Sequence, residues 1–252
     1  MAQNDYWLIR EQNKAQLNAE KLNKQLEKVY KEAYKSINRQ IEKVWLEMLS
    51  EGEITPSSIY KNNRLKSILD QVNEQLEKLG VYLNDNLQLN LLDTFESAYY
   101  ETSKQLGGAN ISFSLVSAQL ANEIVNASYK NATYSERIWN NLEAIRQQIE
   151  KTIVDTAITG RDVKKASRGL AERMGVSLND AKRITITETD RVLQESCRQS
   201  AISRGYKSYH ILVESNACDE CQADFTSKHF DINESVLPKH PFCRCCMIID
   251  LD

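Results

Sequence analysis

Five of the chain's six cysteines and two of its three histidines fall between Cys218 and Cys246. They read Cys218-Asp-Glu-Cys221, then eighteen residues, then His240-Pro-Phe-Cys243-Arg-Cys245-Cys246. Thiolate and imidazole are the donors that hold Zn²⁺ in a tetrahedron, and a C-x₂-C pair closed by a second pair is the spacing such a site uses. The first pair is Cys218 with Cys221. His240 with Cys243, Cys243 with Cys245, and Cys243 with Cys246 are all workable second pairs. The preferred set is Cys218, Cys221, His240 and Cys243, with Cys245 as the leading substitute for His240. Four to five soft donors leave no evident position for a reacting water, so the expected ion is structural.

Other chemistries of the same residues fit less well. Disulfides would need an oxidising compartment, and Met1-Ala-Gln-Asn-Asp-Tyr is polar with no apolar run behind it, unlike a secretory signal, so a reduced intracellular protein is expected. A redox C-x₂-C pair would need a βαβ setting, which the pattern does not supply. Cys197, on an expected helix, reads as a small buried apolar residue. Pairing it with His210 for nucleophilic catalysis lacks an orienting group and a nucleophile turn, so no enzyme is expected.

The elements that must carry these residues follow from composition. The 252 residues include only 8 glycines and 3 prolines, with 27% charged side chains, which implies long uninterrupted helices. No apolar run approaches the length of a membrane span. Net charge is −3, which gives no global electrostatic case for nucleic acid. Residues 151–206 are mildly basic, with eleven Lys and Arg against seven Asp and Glu. If that stretch meets phosphates, the candidates are Lys164, Lys165, Arg168, Arg173, Lys182, Arg183, Arg191 and Arg198; a solvated helix face is the commoner explanation.

In chain order, Leu22, Leu26, Val29, Ala33, Ile37, Ile41, Val44 and Met48 form one helical stripe that something must cover. Ahead of it, Tyr6-Trp7-Leu8-Ile9-Arg10 makes an aromatic-aliphatic knot. Gly52 and Pro56 break the helix, and Thr55-Pro56-Ser57-Ser58 starts a second, with Leu65, Leu69, Val72, Leu76 and Leu79 inward and Gly80 as its stop. A third spans about 85–106, with Leu91, Leu92, Phe95, Tyr99 and Thr102 on one side, ending at Gly107-Gly108. Short helices are expected in 109–133, around Phe113, Leu115, Val116 and Ile124. Tyr134, Ile138, Leu142, Ile145, Ile149 and Ile153 mark a helix closing at Gly160, with Trp139 expected in the core. A short helix then ends at Gly175, and Ser177 with Asp180 reads as a capping box for another, running to Gly205. Tyr209, Ile211 and Val213 alternate as a strand, and Met247-Ile-Ile-Asp-Leu reads as a second. If the two pair, the cysteine loop is an elaborated hairpin pinned by metal. The expected class is mainly α: long N-terminal helices as a bundle or arm over residues 1–159, then a small α+β module, 160–252, with the zinc loop at 218–246.

Arg183-Ile-Thr-Ile-Thr187-Glu188-Thr189 on a helix, Gly205, a strand, Cys218-x-x-Cys221 and Pro238-x-His240-Pro241-x-Cys243-Arg244-Cys245 together resemble the C-terminal domain of tailed-phage minor head proteins, the Mu F-like head morphogenesis family. The resemblance covers about 90 residues from Gly160 onward. Tyr6-Trp7-x-x-Arg10 before long helices resembles minor head proteins of phages of Gram-positive bacteria. Ile186 stands where members often carry Arg before the Thr-Glu pair, and Leu237-Pro238-Lys239 departs from a common second proline before the His-Pro box. The resemblance implies a few-copy, non-catalytic component inside the phage head, present in the host cytoplasm during assembly. Its implied partners are the portal protein, the major capsid or scaffold protein and packaged double-stranded DNA, with which it could be ejected. The alternative is a nucleic-acid-binding zinc module without a portal role.

Overall fold

Where glycine and proline are scarce, the helices run long. The computed structural model describes residues 3–52, 55, 57–107, 115–159 and 163–251. In order, α1 is Gln3–Ser50, a 3₁₀ turn is Lys61–Asn63, α2 is Arg64–Gln105, α3 is Leu115–Val125, α4 is Tyr134–Ile158 and α5 is Val163–Ser203. A small sheet follows: β1 is Ser208–Leu212, then helix α6, Asp219–Phe225, then β2, His229–Asp231, and β3, Cys246–Ile249. The class is mainly α with a small C-terminal sheet, as composition and periodicity imply. No described helix is long and apolar enough to cross a membrane.

The stripe on α1 is buried from Leu22 to Met48, except that Tyr30 takes the inward place and Val29 is half-covered. It is therefore core within this chain, and the cover it requires is supplied without another chain. The α4 stripe from Tyr134 to Ile153 is buried at every expected position. The knot at Tyr6-Trp7-Leu8, and Pro56, Gly108, Phe113, Leu115, Val116 and Gly160 as core or boundary residues, lie outside the residues whose side chains or placement are described.

Two expected helix boundaries are absent, for different reasons. Gly80 lies inside α2, whose buried stripe continues unbroken through Leu79, Leu83, Leu87, Leu91 and Phe95. A Cβ there would stand 2.3 Å from Trp139 Cζ3 and 2.9 Å from Leu142 Cδ1, so glycine is kept for close approach of α4. Trp139 itself is 40% exposed, with its ring edge over Gly80. Gly175 likewise sits within α5, where one mid-helix glycine costs about 1 kcal/mol, too little to end a 41-residue helix. Ser177 caps nothing: it is buried, its hydroxyl is 3.1 Å from Tyr30 Oη, and its carbonyl accepts from Asn141 Nδ2 at 3.1 Å. The true start of α2 is later than expected, because Asn62 and Asn63 adopt positive φ, and Arg64 anchors it with a bidentate pair to Glu51 and a 3.1 Å bond to the Ser58 carbonyl.

The chain divides into two compact units, neither continuous in sequence. One comprises Met1–Leu22, Asn86–Tyr134 and Arg183–Asp252; the other comprises Asn23–Asp85 and Ser135–Lys182. The first holds the sheet, in the order β2-β1-β3 with both pairings antiparallel. Tyr209, Ile211, Met247 and Ile249 share one face and pack with Phe225, Ile232, Leu237 and the cysteines Cys221, Cys243 and Cys245. On the opposite face Cys246 and Ile248 pack with Ala15, Ala98, Leu193 and Cys197. The strand's period of two therefore sends adjacent Cys245 and Cys246 to opposite sides.

Candidate metal centre

The 33 residues between β1 and β3 have their ends brought to one place by the pairing of those strands, Leu212 opposite Cys246 and Tyr209 opposite Ile249. Cys218 is the N-cap of α6, with Asp219 and Glu220 in its first turn, where carboxylates favour the positive end of the helix dipole. Cys221 follows inside that turn and is buried. The other half comes from a tight turn: Cys243 N–H donates to the His240 carbonyl at 3.1 Å, and Phe242 takes φ of 60°.

The structure brings together all five residues expected to bind metal. His240 Nε2 lies 3.3 Å from Cys218 Sγ and 3.2 Å from Cys221 Sγ, and Cys221 Sγ lies 4.0 Å from Cys243 Sγ. Cys221, Cys243 and Cys245 form a second close trio, sharing Cys221 with the first. With Zn–S near ~2.3 Å and Zn–N near ~2.0 Å, tetrahedral donors stand roughly 3.5–3.8 Å apart, so small adjustments admit an ion. His240 is also turned correctly: its Nδ1–H donates to the Pro241 carbonyl at 2.8 Å, which leaves Nε2 to face the sulfurs. Cys246 is excluded from the set by its place in the opposite packing cluster.

Proton affinities in the cluster diverge in a way that a cation would exploit. The hydrogen bond from the Cys245 thiol, outweighing burial, holds Cys243 down at about 5. Cys245, as that donor, is raised. Burial and then the Cys243 charge push Cys221 up to about 12. The Cys221 backbone N–H draws Cys218 down, and the Pro241 carbonyl raises His240. Protons are thus shared unevenly over five close donors, and a bound cation would displace them. The donor chemistry and spacing could hold a metal ion, with Cys218, Cys221 and His240 as one close trio and Cys221, Cys243 and Cys245 as the other.

A support frame surrounds the cluster. Thr187 Oγ1 accepts from Phe242 N–H at 3.3 Å, Gln194 Oε1 accepts from Met247 N–H at 3.0 Å, and Gln12 Nε2 donates to the Arg244 carbonyl at 2.8 Å. Lys239 bonds Asp224 and lies 3.7 Å from Glu220, tying the turn to α6.

Comparison with known proteins adds one likeness. The chain is 26% identical over 194 residues to "Minor head protein GP7" of Bacillus phage SPP1, covering 75% of this chain and 62% of that protein. This chain is similar to a phage minor head protein. No family model matches, and no solved structure matches. The chain spans less than two thirds of that relative's length.

In this minor-head-like chain the Thr-Glu pair is internal. Glu188 bonds Arg191 at 2.7 Å, both buried, and Arg191 donates to the carbonyls of Ile124 and Val125 at 2.8 and 3.0 Å, closing the end of α3. Arg198 is buried, bonded to Glu195 and to the Ile232 carbonyl. Arg191 and Arg198 are therefore spent inside the fold and leave the phosphate-facing list. Lys164, Lys165, Arg168 and Arg183 are exposed, Arg173 is half-buried, and Lys182 pairs with Glu27 at 2.5 Å. Lys165, Arg168 and Arg173 share an open groove of about 810 Å³ with Asp155 and Glu172. Cys197 is the small core residue expected, its thiol pushed up to about 12 by burial, while His210 bonds Asp250 instead.

Sequence reasoning missed α6, β2 and the supports Gln12, Thr187 and Gln194. Asp219-Glu220 directly after Cys218 is a helix-start signal that could have found α6. The supports carry no local signal, since each acts on a distant segment.

Proposed function

We propose that this chain is a minor head protein of a tailed phage, a non-catalytic virion component whose C-terminal module, residues 160–252, is held by a structural zinc ion. The observation that supports the reading is the pair of donor trios that share Cys221, one with Cys218 and His240 and one with Cys243 and Cys245, in a chain similar to a named minor head protein. Zinc here is architectural: it fixes a long connection that has little periodic structure of its own. Portal, capsid or scaffold association and a place beside packaged DNA rest on the resemblance. Because the α1 stripe is internal, docking uses exposed surface and leaves the helix in place.

Metal content of the purified full chain by mass spectrometry tests the clasp; about one zinc per chain is expected, and a metal-free chain with reactive thiols would refute it. Retention of the full chain on immobilised portal protein tests the assembly role, and no retention at any salt concentration would count against it. The second reading, a nucleic-acid binder, draws on the exposed Lys165 and Arg168 at the α5 groove. It requires affinity that falls steeply with salt and a shallower slope when both are neutralised.

A further inference from the structure

Two of the three histidines lie outside the cysteine cluster, and the sheet brings them together. His210 of β1 stands directly opposite His229 of β2, so both rings lie on one face, with centroids 5.5 Å apart. Asp250 follows β3, and its N–H donates to the Ser208 carbonyl at 3.1 Å. Its two carboxylate oxygens are divided between the rings: Oδ1 is 2.7 Å from His210 Nδ1 and Oδ2 is 2.8 Å from His229 Nδ1. Ser208 Oγ donates to Oδ2 at 2.8 Å and fixes the carboxylate. β1, β2 and the residue after β3 thus supply one donor each, and the three donor atoms lie within 4.8 Å of one another.

We propose that His210, His229 and Asp250 form a second metal site, for a borderline divalent transition ion such as Zn²⁺, Co²⁺ or Ni²⁺. The donor chemistry selects that class: imidazole nitrogen suits these ions, and a carboxylate supplies charge without the thiolates that favour softer ones. Access supports it as well. The Asp250 side chain is only 11% exposed and held in place, whereas those of His210 and His229 are 42% and 67% exposed, so an ion can enter from solvent while the anchor stays fixed. The opposite face of the same sheet packs over the cysteines, so the two sites share a scaffold and no ligand. Three protein donors leave a position open, to water or to a group from a partner. Before metal enters, each short nitrogen–oxygen contact is bridged by a proton, and the ion takes the place of those protons.

Co²⁺ titrated into the full chain tests the site, because thiolate-bound Co²⁺ shows sulfur-to-metal charge-transfer absorption and nitrogen–oxygen-bound Co²⁺ does not. The expected result is a class of bound Co²⁺ without that absorption, weakened at least tenfold in Asp250→Asn and lost in the His210→Ala/His229→Ala variant. The exposed rings allow those changes without unfolding, which circular dichroism verifies. In the unmodified chain, ring proton signals of His210 and His229 should broaden with this class. The proposal is overturned if no sulfur-free class forms at millimolar Co²⁺, or if it survives the double histidine change. It stands independently of the cysteine site, since loss of the charge-transfer class alone leaves it untouched.

Discussion

The unit built from residues 23–85 and 135–182 and the sheet module solve the same problem with different materials. In the former, stripes of Ile, Leu and Val on long helices are buried almost without polar help: Ile37, Ile41, Ile68, Val72, Ile149 and Ile153 are all essentially inaccessible. In the module, strands of three to five residues carry a smaller apolar core around Tyr209, Ile211, Met247 and Ile249, and the connection between β1 and β3 adds polar contacts: close thiols, an imidazole, backbone carbonyls and the amides of Gln12 and Gln194. Apolar packing is distributed and degrades gradually, whereas a coordination centre is concentrated and fails at once. The two regions should therefore respond differently to mutation.

The largest contrast comes from the cysteines. Cys221→Ser removes the sulfur common to both donor trios and should abolish zinc binding at the cysteine cluster, a loss on the order of 10 kcal/mol to the module, while far-ultraviolet dichroism retains its helical signal. Metal analysis with limited proteolysis between residues 212 and 246 checks this; simultaneous loss of helicity would break the comparison. Next, Glu188→Ala strands the buried Arg191 guanidinium and should cost about 3–5 kcal/mol in denaturant unfolding. Ile37→Ala in the helical unit should cost about 2–5 kcal/mol through cavity formation, with metal content unchanged.

Asp190 gives a change of opposite sign. Both carboxylate oxygens are buried without a hydrogen-bond partner, and burial first, then the Cys243 charge, raises its pKa well above the usual carboxylate value. A raised carboxyl pKa means the folded state binds its proton more tightly, so stability falls as pH rises from about 4 toward the folded value. Asp190→Asn should flatten that dependence and add about 1–3 kcal/mol at neutral pH; unfolding measured across pH 4–8 decides it. The smallest effect is at Gly80. Gly80→Ala should cost about 1 kcal/mol through displacement of the Trp139 ring, and the cost should shrink in a Trp139→Ala background, where only the Leu142 side chain opposes helix propensity.

What could be read in advance follows the same division. The α1 and α4 stripes were legible because helical burial repeats locally, and the closeness of the cysteines and His240 was legible because C-x₂-C and H-x₂-C are short-range patterns with one common chemical meaning. Gly80 and Gly175 were misread as stops because a glycine reports only that a side chain is missing; the reason at Gly80 is a tryptophan on another helix. His210, His229 and Asp250 gave no signal at all, since strand pairing alone makes them neighbours.

The hydrogen bond from Gln12 to the Arg244 carbonyl joins residues 232 positions apart, within a unit assembled from three separate stretches. During synthesis the unit of residues 23–85 and 135–182 has all its parts once Lys182 has emerged. The first stretch can already meet Ser97 and Ala98 by then, but Gln12 must wait for its partner until the ribosome has passed Arg244. The nascent chain therefore matures from its middle outward, and a chaperone or an early assembly partner would meet Ala15 before Leu193, Cys197, Cys246 and Ile248 had covered it.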